Sequence, residues 1–187
     1  KPKMRQEEST NFKDIIGLKE AKRAFEIAAV GKHNILMIGA PGSGKSMLAS
    51  AFKSILPDLT NNELLETAIV KSVVQEHGNN DFFSFPFRSP HHNCSAAALT
   101  GGGSKITPGE ITKAHNGILF LDELPEYRRD ALESLRQPLE EKKITISRAG
   151  KSVTYPANFQ LISAMNPCKC GYLQIAGKRC GRAPICK

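Results

Sequence analysis

The chain has 187 residues, of which 40% are hydrophobic and 24% are charged, as in ordinary soluble globular proteins. No apolar run approaches the roughly 20 residues that a membrane-spanning helix needs, and no signal-peptide pattern opens the chain, so we expect a cytoplasmic protein without membrane contacts. The net charge of +8 is concentrated in residues 168–187, which hold basic but no acidic side chains, and this is compatible with nucleic-acid binding as well as with simple solubility.

The first third of the chain alternates between helical and strand patterns. The polar residues 1–11 lack periodicity, and we interpret them as a linker. Apolar residues at helical spacing predict a helix from Leu18 to Val30, and the short apolar run 34–38 predicts a buried parallel strand. A glycine-rich turn at 39–44 precedes a helix that we expect from Lys45 to Ile55.

The remaining segments continue this alternation. A helix is predicted for 62–76, with Leu65, Ile69 and Val73 on one stripe, and 78–109 is expected to be a long loop. Then follow a buried strand at 117–121, a helix at 128–137 that Pro138 kinks or ends, a hairpin over 143–155 and a third buried strand at 159–164. Apolar strands interleaved with helices predict an α/β domain with a largely parallel sheet.

The segment Gly39-Ala-Pro-Gly-Ser-Gly-Lys-Ser46 satisfies the phosphate-loop pattern G-x-x-x-x-G-K-[ST]. Its glycines let backbone N–H groups point at a β-phosphate, and the following helix presents its positive N-terminus to the same anion. Lys45 is expected to reach the β- and γ-phosphates, and the Ser46 hydroxyl to ligate Mg²⁺. The motif therefore predicts binding of Mg²⁺–ATP through Gly39, Ala40, Pro41, Gly42, Ser43, Gly44, Lys45 and Ser46.

Two carboxylates and an amide follow the later strands. Asp122 and Glu123 come directly after the strand at 117–121, and ligands bind at the carboxyl edge of open α/β sheets. Asp122 is expected to hold the Mg²⁺ shell and Glu123 to polarise the attacking water. Asn166, just past the third strand, is either a γ-phosphate or water contact or, preceding a proline, an ordinary turn residue.

Four of the five cysteines, Cys168, Cys170, Cys180 and Cys186, crowd the last twenty residues. They are a candidate zinc site, although the C-x-C spacing is tighter than usual, and the alternative is a loop of reduced cytosolic thiols. His91-His92-Asn-Cys94 offers no second ligand pair at matched spacing, and we interpret it as polar loop residues. The basic residues on or beside the hairpin, which would contact DNA phosphates or form a solvated edge, are Lys142, Lys143, Arg148 and Lys151.

The order of these segments resembles the AAA+ ATPases of the magnesium-chelatase-like group, and within it the ComM/YifB competence proteins. The specific pieces are Gly17-Leu-Lys-Glu-Ala-Lys-Arg23, the phosphate loop, Pro86-Phe-Arg-Ser-Pro-His-His92, Leu99-Thr-Gly-Gly-Gly103, Pro108-Gly-Glu110, Ile118-Leu-Phe-Leu-Asp-Glu-Leu-Pro125 and Met165-Asn-Pro-Cys-Lys-Cys-Gly171. The resemblance runs from about Asp14 to Tyr172. It implies an AAA+ core over 12–167, followed by a basic, cysteine-rich segment at 168–187.

The resemblance also implies roles for particular residues. Ile16 and Gly17 would lie near adenine, and Asn166 would be the sensor of the γ-phosphate. The hairpin would be a pre-sensor-1 hairpin that points into a central pore, with Arg148 at its tip facing DNA. The implied assembly is a homo-hexameric ring that moves along single-stranded or branched DNA without sequence preference and drives branch migration in natural transformation.

Several parts implied by the resemblance have no counterpart in these 187 residues: a Lon-protease-like domain, the helical lid, its sensor arginine and the arginine finger. We therefore expect the isolated fragment to hydrolyse ATP slowly or not at all. Two other functions stay open. One is the ATPase subunit of a metal chelatase acting on a protein partner, and the other is an inactive ATP-binding remnant of a split gene.

Overall fold

A computed structural model of the protein describes residues 11–74, 85–103, 106–148, 150–171 and 173. The helices in these ranges are α1 (Lys19–Gly31), α2 (Lys45–Ala51), α3 (Asn61–Val74), α4 (Ala96–Thr100), α5 (Glu110–Lys113), α6 (Arg129–Glu133) and α7 (Arg136–Glu141). The strands are β1 (Ile35–Ile38), β2 (Phe87–Arg88), β3 (Gly101–Gly102), β4 (Thr107–Pro108), β5 (Ile118–Leu121), β6 (Lys143–Arg148), β7 (Lys151–Pro156) and β8 (Gln160–Met165). None of these helices is long and apolar enough to cross a membrane.

Four strands form the central sheet in the order β1-β8-β5-β2, and every neighbouring pair is parallel. All four residues of β5 are buried, which is typical of a parallel strand that is covered on both faces. The predicted fold class, an α/β domain with a mostly parallel sheet flanked by helices, is therefore confirmed. The strands expected at 34–38, 117–121 and 159–164 are β1, β5 and β8. The expected burial holds for β5 and most of β8, but not for β1, where Leu36 and Ile38 are each about half exposed.

The two faces of the sheet carry separate apolar cores. Ile118 and Phe120 of β5 belong to the core formed with α1 and α2, in which Phe25 and Phe52 pack edge to face with ring centroids 5.0 Å apart. Leu119 and Leu121 belong to the opposite core, whose other members include Leu99, Ile111, Ala131, Leu135 and Ile144. Because alternate residues of a strand face opposite sides, the four apolar residues of β5 serve both cores at once.

The hairpin predicted over 143–155 is confirmed. Strands β6 and β7 pair antiparallel as a separate two-stranded sheet, with Ile144 opposite Tyr155 and Arg148 opposite Lys151. Ile144 and Ile146 point into the protein, while Thr145 and Ser147 are exposed and contact Thr154 and Ser152 across the strands at 3.0 and 3.1 Å. Ala149 and the side chain of Arg148 lie outside the described residues.

Two helix predictions need correction. The helix expected from Lys45 to Ile55 is α-helical only to Ala51 and continues as a 3₁₀ turn to Ile55. The helix expected at 128–137 breaks after Glu133 and restarts at Arg136, so Pro138 lies in the first turn of α7. A proline is tolerated there, because the N–H groups of a first turn have no intrahelical partner.

The expected long loop at 78–109 is also wrong in part. Residues 75–84, 104 and 105 lie outside the described residues, but the rest contributes β2 at the edge of the central sheet, α4, β3 and β4. Helix α4 begins at an N-cap, Ser95, whose hydroxyl accepts a hydrogen bond from the Ala98 N–H at 3.1 Å. Strand β2 escapes a pattern search because its two residues stand between Pro86 and Pro90.

Helix α3 is present from Asn61 to Val74, but its apolar stripe does not face the core. Leu65, Ile69 and Val73 are each more than half exposed, whereas Thr67 and Val70 are buried. At the ends of the chain, Asn11 caps a 3₁₀ turn, and residues 1–10, most of the predicted linker, lie outside the described residues. The domain boundaries at 11 and 168 therefore stay predictions.

Candidate nucleotide site

The glycine-rich loop lies between β1 and α2, at the carboxyl edge of the central sheet. Gly42 and Gly44 have φ angles of +75° and +86°, in the left-handed region that suits glycine. The Gly39 N–H donates to the carbonyl of Met165 at 3.2 Å, which ties the start of the loop to the end of β8. Backbone conformation and strand pairing thus hold the loop beside the end of β8.

Lys45 begins α2, and its side chain folds back over this loop. The ammonium donates to the carbonyl oxygens of Gly39 at 2.8 Å and Ala40 at 3.0 Å and to Asn166 Oδ1 at 3.2 Å. All three acceptors are neutral oxygens. The cation is therefore held inside the loop without a carboxylate among these partners, which suits it to receive an anion.

Ser46 and Asp122 meet in the position expected for a pair of magnesium ligands. The Ser46 hydroxyl donates to Asp122 Oδ2 at 2.7 Å, and the N–H of Glu123 donates to Asp122 Oδ1 at 2.9 Å. Hydroxyl and carboxylate oxygens are the hard ligands that Mg²⁺ takes beside nucleotide phosphates. The residues present therefore fit this cation.

Glu123 has a left-handed backbone, with φ of +52°. Its Oε2 lies 3.0 Å from Nδ1 of His92, a residue that the sequence pattern assigned to a polar loop. The rings of His91 and His92 are tilted by 36° with centroids 4.1 Å apart, and His92 meets Tyr127 edge to face at 6.5 Å. The Tyr127 hydroxyl donates to the carbonyl of Pro90 at 2.5 Å, which fixes the chain just before the two histidines.

His92 is thus a site residue that sequence reasoning missed. The contact joins two segments that are far apart in the chain, and no spacing pattern relates them. Burial raises the pKa of the Tyr127 hydroxyl well above its usual range, so Tyr127 remains a neutral hydrogen-bond donor. The only sequence signal was the position of the histidines in a segment that carries the family resemblance.

The remaining predicted residues lie on either side of the loop. Asn166 follows β8 and accepts the hydrogen bond from Lys45 described above. Ile16 and Gly17 precede α1, and Ile16 is 95% exposed, which leaves a large apolar side chain open to a ligand. A Cβ added at Gly44 would lie 3.5 Å from Leu18 Cδ1, so the segment around Ile16 adjoins the phosphate loop.

The cysteines are only partly described. Cys168 Sγ and Cys170 Sγ lie 3.0 Å apart, whereas Cys180 and Cys186 lie outside the described residues. Within the described ranges no group of three or more His, Cys, Asp or Glu side chains is arranged to hold a metal ion. The four-cysteine zinc site therefore stays a prediction without structural support.

Proteins of known sequence resemble this chain over most of its length. YifB of Escherichia coli (strain K12) is 50% identical over 171 residues, which are 91% of this chain and 34% of YifB. The competence protein ComM of Haemophilus influenzae is 54% identical over 160 residues, 85% of this chain and 31% of ComM. The magnesium-chelatase 67 kDa subunit of Chlorobaculum parvum is 28% identical over 158 residues, 83% of this chain and 23% of that subunit.

This chain thus spans about a third of the length of YifB and ComM. Among solved structures, NtrX from Brucella abortus in complex with ADP superposes with a TM-score of 0.56 at 18% identity, covering 82% of this chain and 31% of NtrX. That similarity concerns the fold and supports the predicted phosphate-loop AAA+ core. The family profile described as magnesium chelatase, subunit ChlI, matches residues 11–187, and the chain belongs to this family.

Proposed function

We propose that this chain is the ATP-binding core of a ComM-type AAA+ ATPase that couples ATP hydrolysis to movement along DNA. The observation that carries the proposal is the convergence of Lys45, Ser46, Asp122, Glu123 and Asn166 at one edge of the parallel sheet. These residues come from three separate segments of the chain. A set of this composition suits phosphoryl transfer from a nucleoside triphosphate to water.

In the proposed complex, the backbone N–H groups of the phosphate loop and the N-terminus of α2 receive the β-phosphate. Lys45 exchanges its loop carbonyls for β- and γ-phosphate oxygens, and Asn166, already within hydrogen-bond distance of Lys45, contacts the γ-phosphate or the attacking water. Ile16 and Gly17 border the adenine. Every one of these contacts positions the nucleotide for the chemical step.

Ser46 and Asp122 are the proposed ligands of Mg²⁺, which supplies charge neutralisation between the β- and γ-phosphates when bound. Glu123 is the proposed general base, and its carboxylate orients and polarises the attacking water. The His92 imidazole, whose Nδ1 lies 3.0 Å from Glu123 Oε2, restricts the rotamers of this carboxylate and leaves its other oxygen for the attacking water. His92 therefore acts on the reaction through Glu123 as a positioning residue.

The DNA part of the proposal rests on the relatives and on the hairpin. ComM is named a competence protein, and the hairpin formed by β6 and β7 exposes the paired hydroxyls together with Lys143 on one face. We propose that a homo-hexamer directs these hairpins at single-stranded or branched DNA through phosphate contacts.

The alternative, a chelatase-type ATPase that acts on a protein partner, is favoured by the similarity to the 67 kDa chelatase subunit. Stimulation of ATP hydrolysis by DNA in the full-length protein would separate the two.

The nucleotide site itself is tested by Lys45→Ala. Removing a charge-assisted contact to the phosphates costs about 1.5–3 kcal/mol, so calorimetry should find Mg²⁺–ATP affinity reduced about ten- to a hundredfold. Lys143→Ala, which removes an exposed lysine from the hairpin, is the matched control and should bind like the parent. Equal affinity of Lys45→Ala and the parent would refute the assignment of the loop.

A further inference from the structure

Cys168 and Cys170 form a dithiol immediately after the candidate nucleotide site. Their sulfur atoms lie 3.0 Å apart, and neither cysteine is in a disulfide. The backbone closes a turn here, since the N–H of Gly171 donates to the carbonyl of Cys168 at 2.9 Å. The turn therefore brings two nucleophilic side chains together.

This dithiol turn, residues 168–171, is connected to the phosphate loop at both ends. On one side, Asn166 accepts the hydrogen bond from Lys45, two residues before Cys168. On the other side, Gly171 packs so closely against the ring of Pro41 that a Cβ at this position would overlap the Pro41 Cδ and Cγ atoms. A change in the shape of the turn must therefore shift at least one of two contacts to the loop.

The sulfur separation favours redox chemistry over metal binding. Two thiolates on a tetrahedral zinc ion, each about 2.3 Å from the metal, are about 3.8 Å apart. A disulfide bond is about 2.05 Å long, so the observed 3.0 Å requires a movement of only about 1 Å to close it. The two sulfur atoms are already closer than a shared zinc ion would hold them.

We infer that Cys168 and Cys170 are a reversible oxidation site, and that the disulfide between them weakens nucleotide binding by moving the turn that supports Pro41 and Asn166. The weakening of nucleotide binding rests on the proposed ATP site, whereas the oxidation of the two cysteines does not. A ring closed across a single intervening residue is strained, and strained disulfides are readily reduced, as a regulatory bond must be.

The oxidant is a low-molecular-weight disulfide of the glutathione class. One cysteine thiolate attacks a sulfur of this disulfide, which forms a mixed disulfide and releases one small thiolate. The second cysteine thiolate then attacks the protein sulfur of the mixed disulfide and expels the other small thiolate. The two protein thiols lose two protons and two electrons in total, and the oxidant is reduced to two thiols.

Peptide mapping tests the bond directly, because Lys169 lies between the two cysteines. Trypsin separates Cys168, on peptide 152–169, from Cys170, on peptide 170–178, and places each remaining cysteine on a peptide of its own. After equilibration with oxidised glutathione and blocking of free thiols, mass spectrometry should find 152–169 linked to 170–178. Dithiothreitol should separate the pair. Linkage of other cysteines only, or zinc retained on Cys168 and Cys170 under oxidation, would overturn the inference.

The coupling is tested by calorimetry with Mg²⁺–ATP on the reduced and oxidised full-length protein. Oxidation should weaken binding at least threefold in the parent, and the effect should vanish in both Cys168→Ser and Cys170→Ser. Cys94→Ser and the double variant Cys180→Ser/Cys186→Ser should keep it. A mapped bond without any change in affinity would overturn the coupling. A mapped bond in a protein that binds no ATP in either state would support the oxidation site and refute the proposed nucleotide site.

Discussion

Glu123 illustrates how a single residue determines what the edge of the sheet can do. Its left-handed backbone costs about 1–2 kcal/mol for a residue with a Cβ. The cost is offset locally, since its N–H donates to Asp122 and its carbonyl accepts from the Glu126 N–H at 2.8 Å. This backbone turn directly after β5 points the carboxylates of Asp122 and Glu123 in different directions. Asp122 thereby contacts Ser46 while Glu123 contacts His92.

The contact with His92 leads to a prediction for turnover in the full-length protein. The Glu123 side chain is 54% exposed, so without the imidazole the carboxylate samples many rotamers. His92→Ala should therefore lower kcat about tenfold with little change in the KM for ATP, since misplacement of a catalytic group acts on the chemical step. His92→Asn, whose amide N–H stands near the place of Nδ1, should recover part of the rate.

The matched comparison is Glu123→Gln, which keeps the size of the side chain and removes the carboxylate. This variant should bind Mg²⁺–ATP as the parent does and lose turnover. Steady-state kinetics with a calorimetric binding measurement give both quantities. If His92→Ala raised KM and left kcat unchanged, His92 would be part of the nucleotide pocket instead of a positioning residue.

At the scale of elements, His115 joins α3 to the start of β5. Its Nε2 lies 3.2 Å from Glu66 Oε2, and its Nδ1 accepts a hydrogen bond from the Asn158 N–H at 3.1 Å. Only the neutral ring, protonated on Nε2, satisfies both contacts. Burial accordingly holds the pKa of His115 below its usual value near 6.5, although the Glu66 carboxylate acts in the opposite direction.

This arrangement predicts acid sensitivity. Because the pKa of His115 is lower in the folded than in the unfolded chain, the unfolded state binds more protons below about pH 6.5. The contribution of His115 to the free energy of unfolding should therefore be fully present above that pH and be lost progressively as the pH falls below it. Urea titrations at pH 7.5, 6.5 and 5.5 measure it. His115→Gln should reduce this pH dependence, whereas the exposed His91→Gln should leave it intact; identical slopes in His115→Gln and the parent would contradict the prediction.

The hairpin carries a prediction about DNA. Arg148 is paired with Lys151 in the register of β6 and β7 beside the turn, and the sequence of the hairpin contains no pattern typical of a base reader. Contacts through phosphates should be insensitive to sequence, so Arg148→Ala should weaken binding equally on unrelated oligonucleotides and lower the salt slope by about one. Fluorescence anisotropy across a salt series measures both, with Arg23→Ala on α1, paired with Glu26, as the control. An unchanged slope would leave the hairpin as a solvated edge of the domain.

Elements that satisfy a local rule were predictable from the sequence, and elements that depend on distant contacts were not. Strand β5 is a continuous apolar run and β8 is a mostly apolar one, and the glycines around Lys45 satisfy a motif with a known backbone requirement. Strand β2 exists because Phe87 and Arg88 pair with Ile118 and Leu119, which no local pattern encodes. For the same reason the contact of His92 with Glu123 and the exposure of the α3 stripe emerge only from the fold.

At the scale of the whole molecule, the site unites residues of three segments but contains few cations. None of the hydrogen bonds described at Asp122, Glu123 and Asn166 comes from an arginine. Charge develops on the γ-phosphate oxygens during transfer, and an arginine supplied by a neighbouring subunit commonly stabilises it. The proposed ring would bring such a group to the edge where Lys45 and Glu123 lie.

Turnover should consequently depend on assembly. We expect the 187-residue chain alone to hydrolyse ATP slowly, with a rate per chain that rises with protein concentration, because a trans cation reaches the γ-phosphate only between subunits. The full-length protein should be faster, and Glu123→Gln subunits mixed into it should lower activity by more than their molar share. Rapid hydrolysis by the isolated chain at a rate independent of concentration would mean that the catalytic groups of one chain suffice, and the ring would then have no part in the chemical step.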